Sequence, residues 1–222
     1  MSPLKFLPHA ALTFLLATSL PSHAQTQPNT EFTFGSPKGV EPAFVETPVI
    51  QAGTYRKTST GGGKAQPWLE IEATFNWLPR PGPEVPLYAD ELTFKYYILL
   101  NKATQQDPKG VMLVGTVTHV NVPQGKDLHS VMYVSPRSLE RLFDGKVPTT
   151  MQQLIRDVGV SISYKGQVVA FSSWKSKTGA WWAEASLGLK PTEGFIVNKS
   201  DTPFAPLAWD YYESIKPKAS GQ

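Results

Sequence analysis

Two runs of strict alternation constrain this chain more than anything else in it. From Trp68 to Trp77, every second place is apolar (Leu69, Ile71, Ala73, Phe75, Trp77), with Glu70, Glu72, Thr74 and Asn76 between. Over residues 90–101 the same spacing sets Leu92, Phe94, Tyr96, Ile98 and Leu100 against Glu91, Thr93, Lys95 and Tyr97. Successive side chains of a strand point to opposite faces, so each run reads as a strand with one buried and one wet face. An amphipathic helix would need apolar residues at every third or fourth place, and neither run supplies them.

Further strand-like segments recur at short spacing: 31–34 as an edge strand, 48–59, 111–122, 128–134, 159–164, 167–174, 180–185 and 195–198. The apolar phase of 111–122 changes near Gly115, as at a bulge. Lys165-Gly166 reads as a hairpin turn, and residues 78–86, with Pro79, Pro81, Pro83 and Pro86, can only be a loop. Helix is confined to two short plugs. Ser135-Pro136 is a cap followed by a first-turn proline, Leu139, Leu142 and Phe143 give the segment an apolar face, and Gly145 can end it. Residues 151–158 read as a second helix with Thr149 or Thr150 as its cap. The expectation is an all-β, immunoglobulin-like β-sandwich with one or two short helices.

The start of the chain has one cation, Lys5, an apolar run over residues 10–20, and then Pro21-Ser22-His23-Ala24. That order is a secretory signal, with an apolar stretch too short to span a bilayer, and the expected cleavage follows Ala24. The domain reading is a signal peptide at 1–24, an extended N-terminal arm at 25–47, a sandwich with a C-terminal strap at 48–216, and a disordered tail at 217–222. The chain has no cysteine, so an exported domain of this kind must rely on its core and not on disulfides. The expected location is the periplasm, the outer membrane or the cell surface. A formal net charge of +3 with mixed signs argues against a nucleic-acid partner, and no later segment reads as an integral membrane span.

Familiar catalytic patterns fail on their chemistry. Gly61-Gly62-Gly63-Lys64 lacks the upstream glycine of a phosphate loop and has Ala65 where a hydroxyl must reach the metal. Ser172-Ser173-Trp174-Lys175 and Lys177-Thr178-Gly179 match by letters two motifs of penicillin-recognising enzymes, but they are neighbours in one hairpin arm with no third motif between. A serine triad is short of histidines, since only His119 and His129 remain once the signal is gone. If Val122 paired with Leu128, those two would share a face, yet no acid or thiol completes a zinc site. Glu70 and Glu72 share the wet face of one strand at roughly 7 Å, a spacing compatible with paired carboxylates in glycoside hydrolysis, but on an open sheet face they are solubilising acids. The reading is no enzyme, no metal and no cofactor.

The surplus lies in the aromatics. As part of a strand, Trp181 and Trp182 would face opposite sides, so Trp68, Tyr97, Trp174, Trp181 and Trp182 cannot all fill one core; they are the candidate contacts to a ligand or partner. Residues 91–101, 115–123, 129–141 and 202–210 together resemble a poorly characterised family of secreted bacterial immunoglobulin-like proteins, some encoded beside type IV pilus-type genes. The resemblance implies a non-enzymatic cell-envelope protein that works through protein–protein contacts with envelope or pilus-type proteins. The alternative is a carbohydrate-binding module that stacks a glycan on exposed tryptophans.

Overall fold

The computed structural model describes residues 31–35, 39–48, 67–79, 81–83, 85–105, 107–176, 179–208 and 210–218. The expected signal, the strand at 48–59 (save Pro48) and the Gly61–Lys64 loop therefore lie outside the described residues. Both alternating runs are strands with the faces the sequence assigns them. In β3 (Trp68–Trp77), Leu69, Ile71, Ala73, Phe75 and Trp77 are buried, as are Leu92, Phe94, Tyr96, Ile98 and Leu100 in β4 (Tyr88–Leu100). Burial of each large apolar side chain contributes about 1.5–3 kcal/mol, so these two strands carry much of the stabilisation.

Two five-stranded sheets pack face to face. The first contains β1 (Phe32–Phe34) and β2 (Val40–Val45), both on β3, followed by β6 (Gly125–Val134) and β10 (Ile196–Asn198). The second runs β8 (Gln167–Ser173), β7 (Ile155–Tyr164), β4, β5 (Met112–Pro123) and β9 (Pro191–Thr192). Phe75 meets Phe94 edge-on across the interior at 4.9 Å. The chain is an all-β sandwich of the expected class, with α1 (Pro136–Leu142) and α2 (Met151–Leu154) as its two short helices. Ser135 caps α1, its hydroxyl accepting from the Ser138 amide at 3.1 Å, and Leu139 is buried.

The residues read as an extended arm include the expected edge strand, observed as β1, and a second strand of the first sheet, β2. The Thr74 amide donates to the Gly39 carbonyl at 3.0 Å, which sets the phase of β2 on β3. Glu41, Ala43 and Val45 then bond inward, while Val40, Pro42 and Phe44 turn their backbone outward. Pro42 stands where no ladder bond is lost, and it removes a donor from an edge.

Three other local readings change. β4 and β5 pair in one unbroken register, so Gly115 is not in a bulge. Met112 and Val114 are buried on the outer side of the sheet as well, because Trp181 covers them, and that cover produces the apparent change of phase. The helix over 151–158 stops at Leu154, since Ile155 already pairs with Leu100. Residues 180–185 form no strand: Trp181–Ala183 and Ala185–Leu187 are 3-10 turns, and Trp181 and Trp182 join one aromatic cluster, edge to face at 5.4 Å.

Candidate functional site

The turn between β5 and β6 carries the chain from the second sheet to the first, so the two strands are not a hairpin. Hence His119 points into the core and His129 lies on the outer face of the first sheet. Among the described residues no cluster of His, Cys, Asp or Glu has a metal-binding arrangement.

That outer face is polar at its centre. Glu72 of β3 pairs with Val131 of β6, and Thr74 with His129. His129 Nδ1 lies 2.7 Å from Glu72 Oε1, which also accepts from the Tyr211 hydroxyl at 3.1 Å. The Tyr211 ring stacks on His129 at 4.0 Å. Tyr133 donates to Glu70 Oε2 at 2.8 Å. Burial holds the Glu70 carboxyl above the usual carboxylate range against the lowering effect of Tyr133, and the Glu72 charge adds to the rise. Burial first, then Glu70, drives the Tyr133 hydroxyl far up. Glu41, Ala43, Glu70, Glu72, Thr74 and Tyr211 line an open groove of about 330 Å³ here. Both members of the Glu70/Glu72 pair are thus already hydrogen-bonded within the protein.

The groove lies against the C-terminal strap. Phe204 is buried, stacked on Tyr133 at 4.6 Å and edge-on to Trp68 at 5.6 Å. Beyond it the chain reaches β5, where Ile215 bridges to His119.

A second feature lies at the end of the sandwich that carries the β5–β6 turn. Leu78, Leu87 and Tyr88 are 48%, 73% and 55% exposed. The Gln124 amide donates to the Leu87 carbonyl at 3.2 Å, Tyr88 pairs with Pro123, and Trp77 pairs with Gly125, so all three flank one turn. The Pro-rich loop joins Leu78 to Leu87. Underneath, Phe32, Trp77 and Tyr164 form a packed aromatic floor, with Phe32 stacked on Trp77 at 5.9 Å.

The five aromatic candidates fall in three separate places. Trp68 is half-buried beside Tyr133 and Phe204, its Nε1 donating to Thr47 Oγ1 at 3.1 Å. Tyr97, Trp181 and Trp182 pack together on the outer face of the second sheet. Trp174 packs against the main core under the Lys175 ammonium, 4.1 Å from its ring. Tyr133, Tyr211 and the apolar end were not legible beforehand. The alternation of β6 puts Tyr133 on the same face as His129, but its meeting with Glu70 depends on a strand register that sequence does not show.

A crystal structure of a protein from Akkermansia muciniphila resembles this chain with a TM-score of 0.58 and 26% sequence identity, covering 88% of this chain and 100% of that one. No curated protein matches. A protein-family model matches residues 26–219, under a designation of the "-like" kind that names no activity. The match takes in nearly all of the chain outside the expected signal, and the chain belongs to that poorly characterised family.

Proposed function

We propose that this is an exported, non-enzymatic protein of the cell envelope that works by protein–protein contact, in association with pilus-type assemblies. The observation that carries the reading is the apolar end: Leu78, Leu87 and Tyr88 are exposed around one turn, over a rigid aromatic floor. Large exposed apolar side chains are tolerated singly, whereas a group of them on a stiff platform is what a protein partner buries. The signal-like start of the chain and the resemblance to secreted immunoglobulin-like proteins supply the envelope setting. The internal bonding of Glu70, Glu72 and His129 on the sheet face is consistent with a role that needs no acid–base chemistry.

A photo-crosslinking amino acid at position 87 in living cells tests this, with position 146, beyond α1 at the opposite end, as the control. Crosslinks from 87 to a defined envelope protein, absent from 146 and lost in Tyr88→Glu at unchanged thermal stability, support the proposal. Equal labelling from both positions, or none from 87, refutes it.

A further inference from the structure

The last described turn of the chain is tied to the interior by a histidine. Residues 214–216 run antiparallel along the outer edge of β5, the Val120 amide donating to the Ser214 carbonyl at 2.9 Å and the Lys216 amide to the Thr118 carbonyl at 2.7 Å, while just before them the Glu213 amide donates to the His129 carbonyl of β6 at 3.1 Å. Behind that edge, His119 is 1% exposed. Its Nδ1 lies 2.9 Å from the Glu213 carbonyl and its Nε2 lies 2.8 Å from Ser130 Oγ, which the Tyr96 hydroxyl meets at 2.7 Å. A carbonyl can only accept, so Nδ1 carries the proton and donates to the strap. Nε2 is then the acceptor of the Ser130 hydroxyl, and Tyr96 donates into Ser130. Each proton in the chain Tyr96, Ser130, His119, Glu213 carbonyl has one acceptor.

We propose that residues 210–216 form an acid-released clasp: the neutral His119 imidazole holds them to β5 through the Glu213 carbonyl, and protonation of His119 lets them leave that edge.

A second proton on the ring must go to Nε2, which faces a serine already committed as a donor. Ser130 would have to turn its proton to the Tyr96 oxygen and displace the proton Tyr96 now donates to it, undoing the relay, and the charge would lie beside the Phe94 ring, 5.3 Å away and edge-on. The titratable groups around His119 offer no ready counter-ion. Tyr96 of β4 is a neutral phenol, the Glu213 and Tyr212 side chains belong to the clasp, and Glu70, Glu72 and His129 lie on the far side of the first sheet. Burial also holds the Glu213 carboxyl above its ordinary range, so it pairs poorly with a charged ring, and its own protonation on acidification favours the closed form and opposes part of the release.

The strap is built to part in two. Phe204 stays wedged on Tyr133, whereas the outer half is held by the 48% exposed Tyr211, the half-buried Ile215, the exposed Lys216–Glu91 ion pair and its backbone bonds. Between them Ala208 takes a left-handed φ of 45°, the sharp corner at which the second half turns toward β5.

In the closed state burial draws His119 down to about 4, against the raising effect of the backbone at Glu213 and Ser214. It is therefore the cover the clasp gives the ring, not its bond to Nδ1, that disfavours the charge. With the clasp off, the ring meets water and returns toward the ordinary histidine value of about 6.5. The released form therefore takes up a proton that the closed form refuses, and acidification between those values favours release. His119 alone would raise the open fraction by at most about twenty-fold from pH 7 to pH 5, and the opposing share of Glu213 reduces that rise.

Hydrogen–deuterium exchange on the full chain, corrected for intrinsic exchange at each pH, reads this directly. Protection of residues 210–218 should fall several-fold, by at most about twenty-fold, from pH 7 to pH 5 while β3 and β4 keep theirs. His129→Gln, which alters the other imidazole touching the clasp, should keep the drop, and His119→Gln should remove it. If His119→Gln does not fold, the His119 ring resonances of the unmodified protein must titrate together with the loss of protection. Constant protection, a drop abolished by His129→Gln, equal loss across the whole domain, or a His119 ring that stays neutral while the segment opens would each overturn the proposal.

Discussion

The ring of Trp182 occupies the space that a side chain at Gly159 would need: a Cβ there would stand 2.0 Å from Trp182 Cζ3. Gly159 pairs with Tyr97 across β7 and β4, and the same indole stacks on Tyr97 at 4.7 Å. One ring thus covers two neighbouring positions of the second sheet. Gly159→Ala should expel it and cost about 1–3 kcal/mol, read by urea denaturation. Because Trp182→Ala vacates the same space, the double variant should be less destabilised than the sum of the singles by at least about 1 kcal/mol. Strict additivity would mean the ring does not fill that space in solution.

Ser130 stands at the centre of the buried relay, and its loss should cost more than the loss of either end. Ser130→Ala leaves both the Tyr96 hydroxyl and His119 Nε2 without partners, for about 2–4 kcal/mol, whereas Tyr96→Phe removes a donor and leaves Ser130 bonded to His119, for about 1 kcal/mol. Chemical denaturation at neutral pH gives the order; equal costs would contradict the relay.

Tyr133→Phe should raise the Glu70 carboxyl further, since the bond from Tyr133 opposes the effect of burial. A carboxyl whose folded value lies above its unfolded one favours folding when protonated, and that contribution disappears as the pH rises through the folded value. The variant should therefore lose stability at neutral pH relative to acid. Carbon-detected NMR titration of Glu70 checks the direction, and a fall in its value would refute it.

Ending the chain at Ser200 removes Phe204 from Tyr133 and Trp68 and takes the Glu213 carbonyl from His119. Loss of a buried phenylalanine alone costs about 3–5 kcal/mol. At about 2–4 °C per kcal/mol for a chain of this size, the melting temperature should fall by roughly 10 °C or more. Calorimetry decides, and an unchanged midpoint would show that the strap is dispensable.

The β3 and β4 faces, the Ser135 cap and the turn at Lys165-Gly166 were legible because each depends on residues close in sequence. Lys165 and Gly166 both take left-handed φ values, 50° and 77°, as a tight hairpin turn requires. What stayed hidden depends on distant pairing. Residues 180–185 carry β-type aromatics, yet the space over Gly159 and Tyr97 draws Trp181 and Trp182 into a 3-10 turn. The polar cluster was half visible, with Glu70 and Glu72 outward on β3, but its tyrosines arrive from β6 and from residue 211. His119 and His129 looked like neighbours across a turn because nothing local tells that the turn changes sheets.

The first sheet takes β1, β2 and β3 from the start of the chain, β6 from its middle and β10 from near its end. Gly115 of β5 meets Ile196 of β10 so closely that a Cβ at 115 would stand 2.6 Å from the Ile196 Cβ, so the sandwich closes on a residue that emerges late. Pairings between distant segments form slowly, after long loops have been closed. A ribosome or any channel that delivers this chain from its N-terminus thus hands over about nine-tenths of it before β10 can join β6 and cover Gly115. Until then that edge of the sandwich stays open, and the last few dozen residues decide when it is sealed.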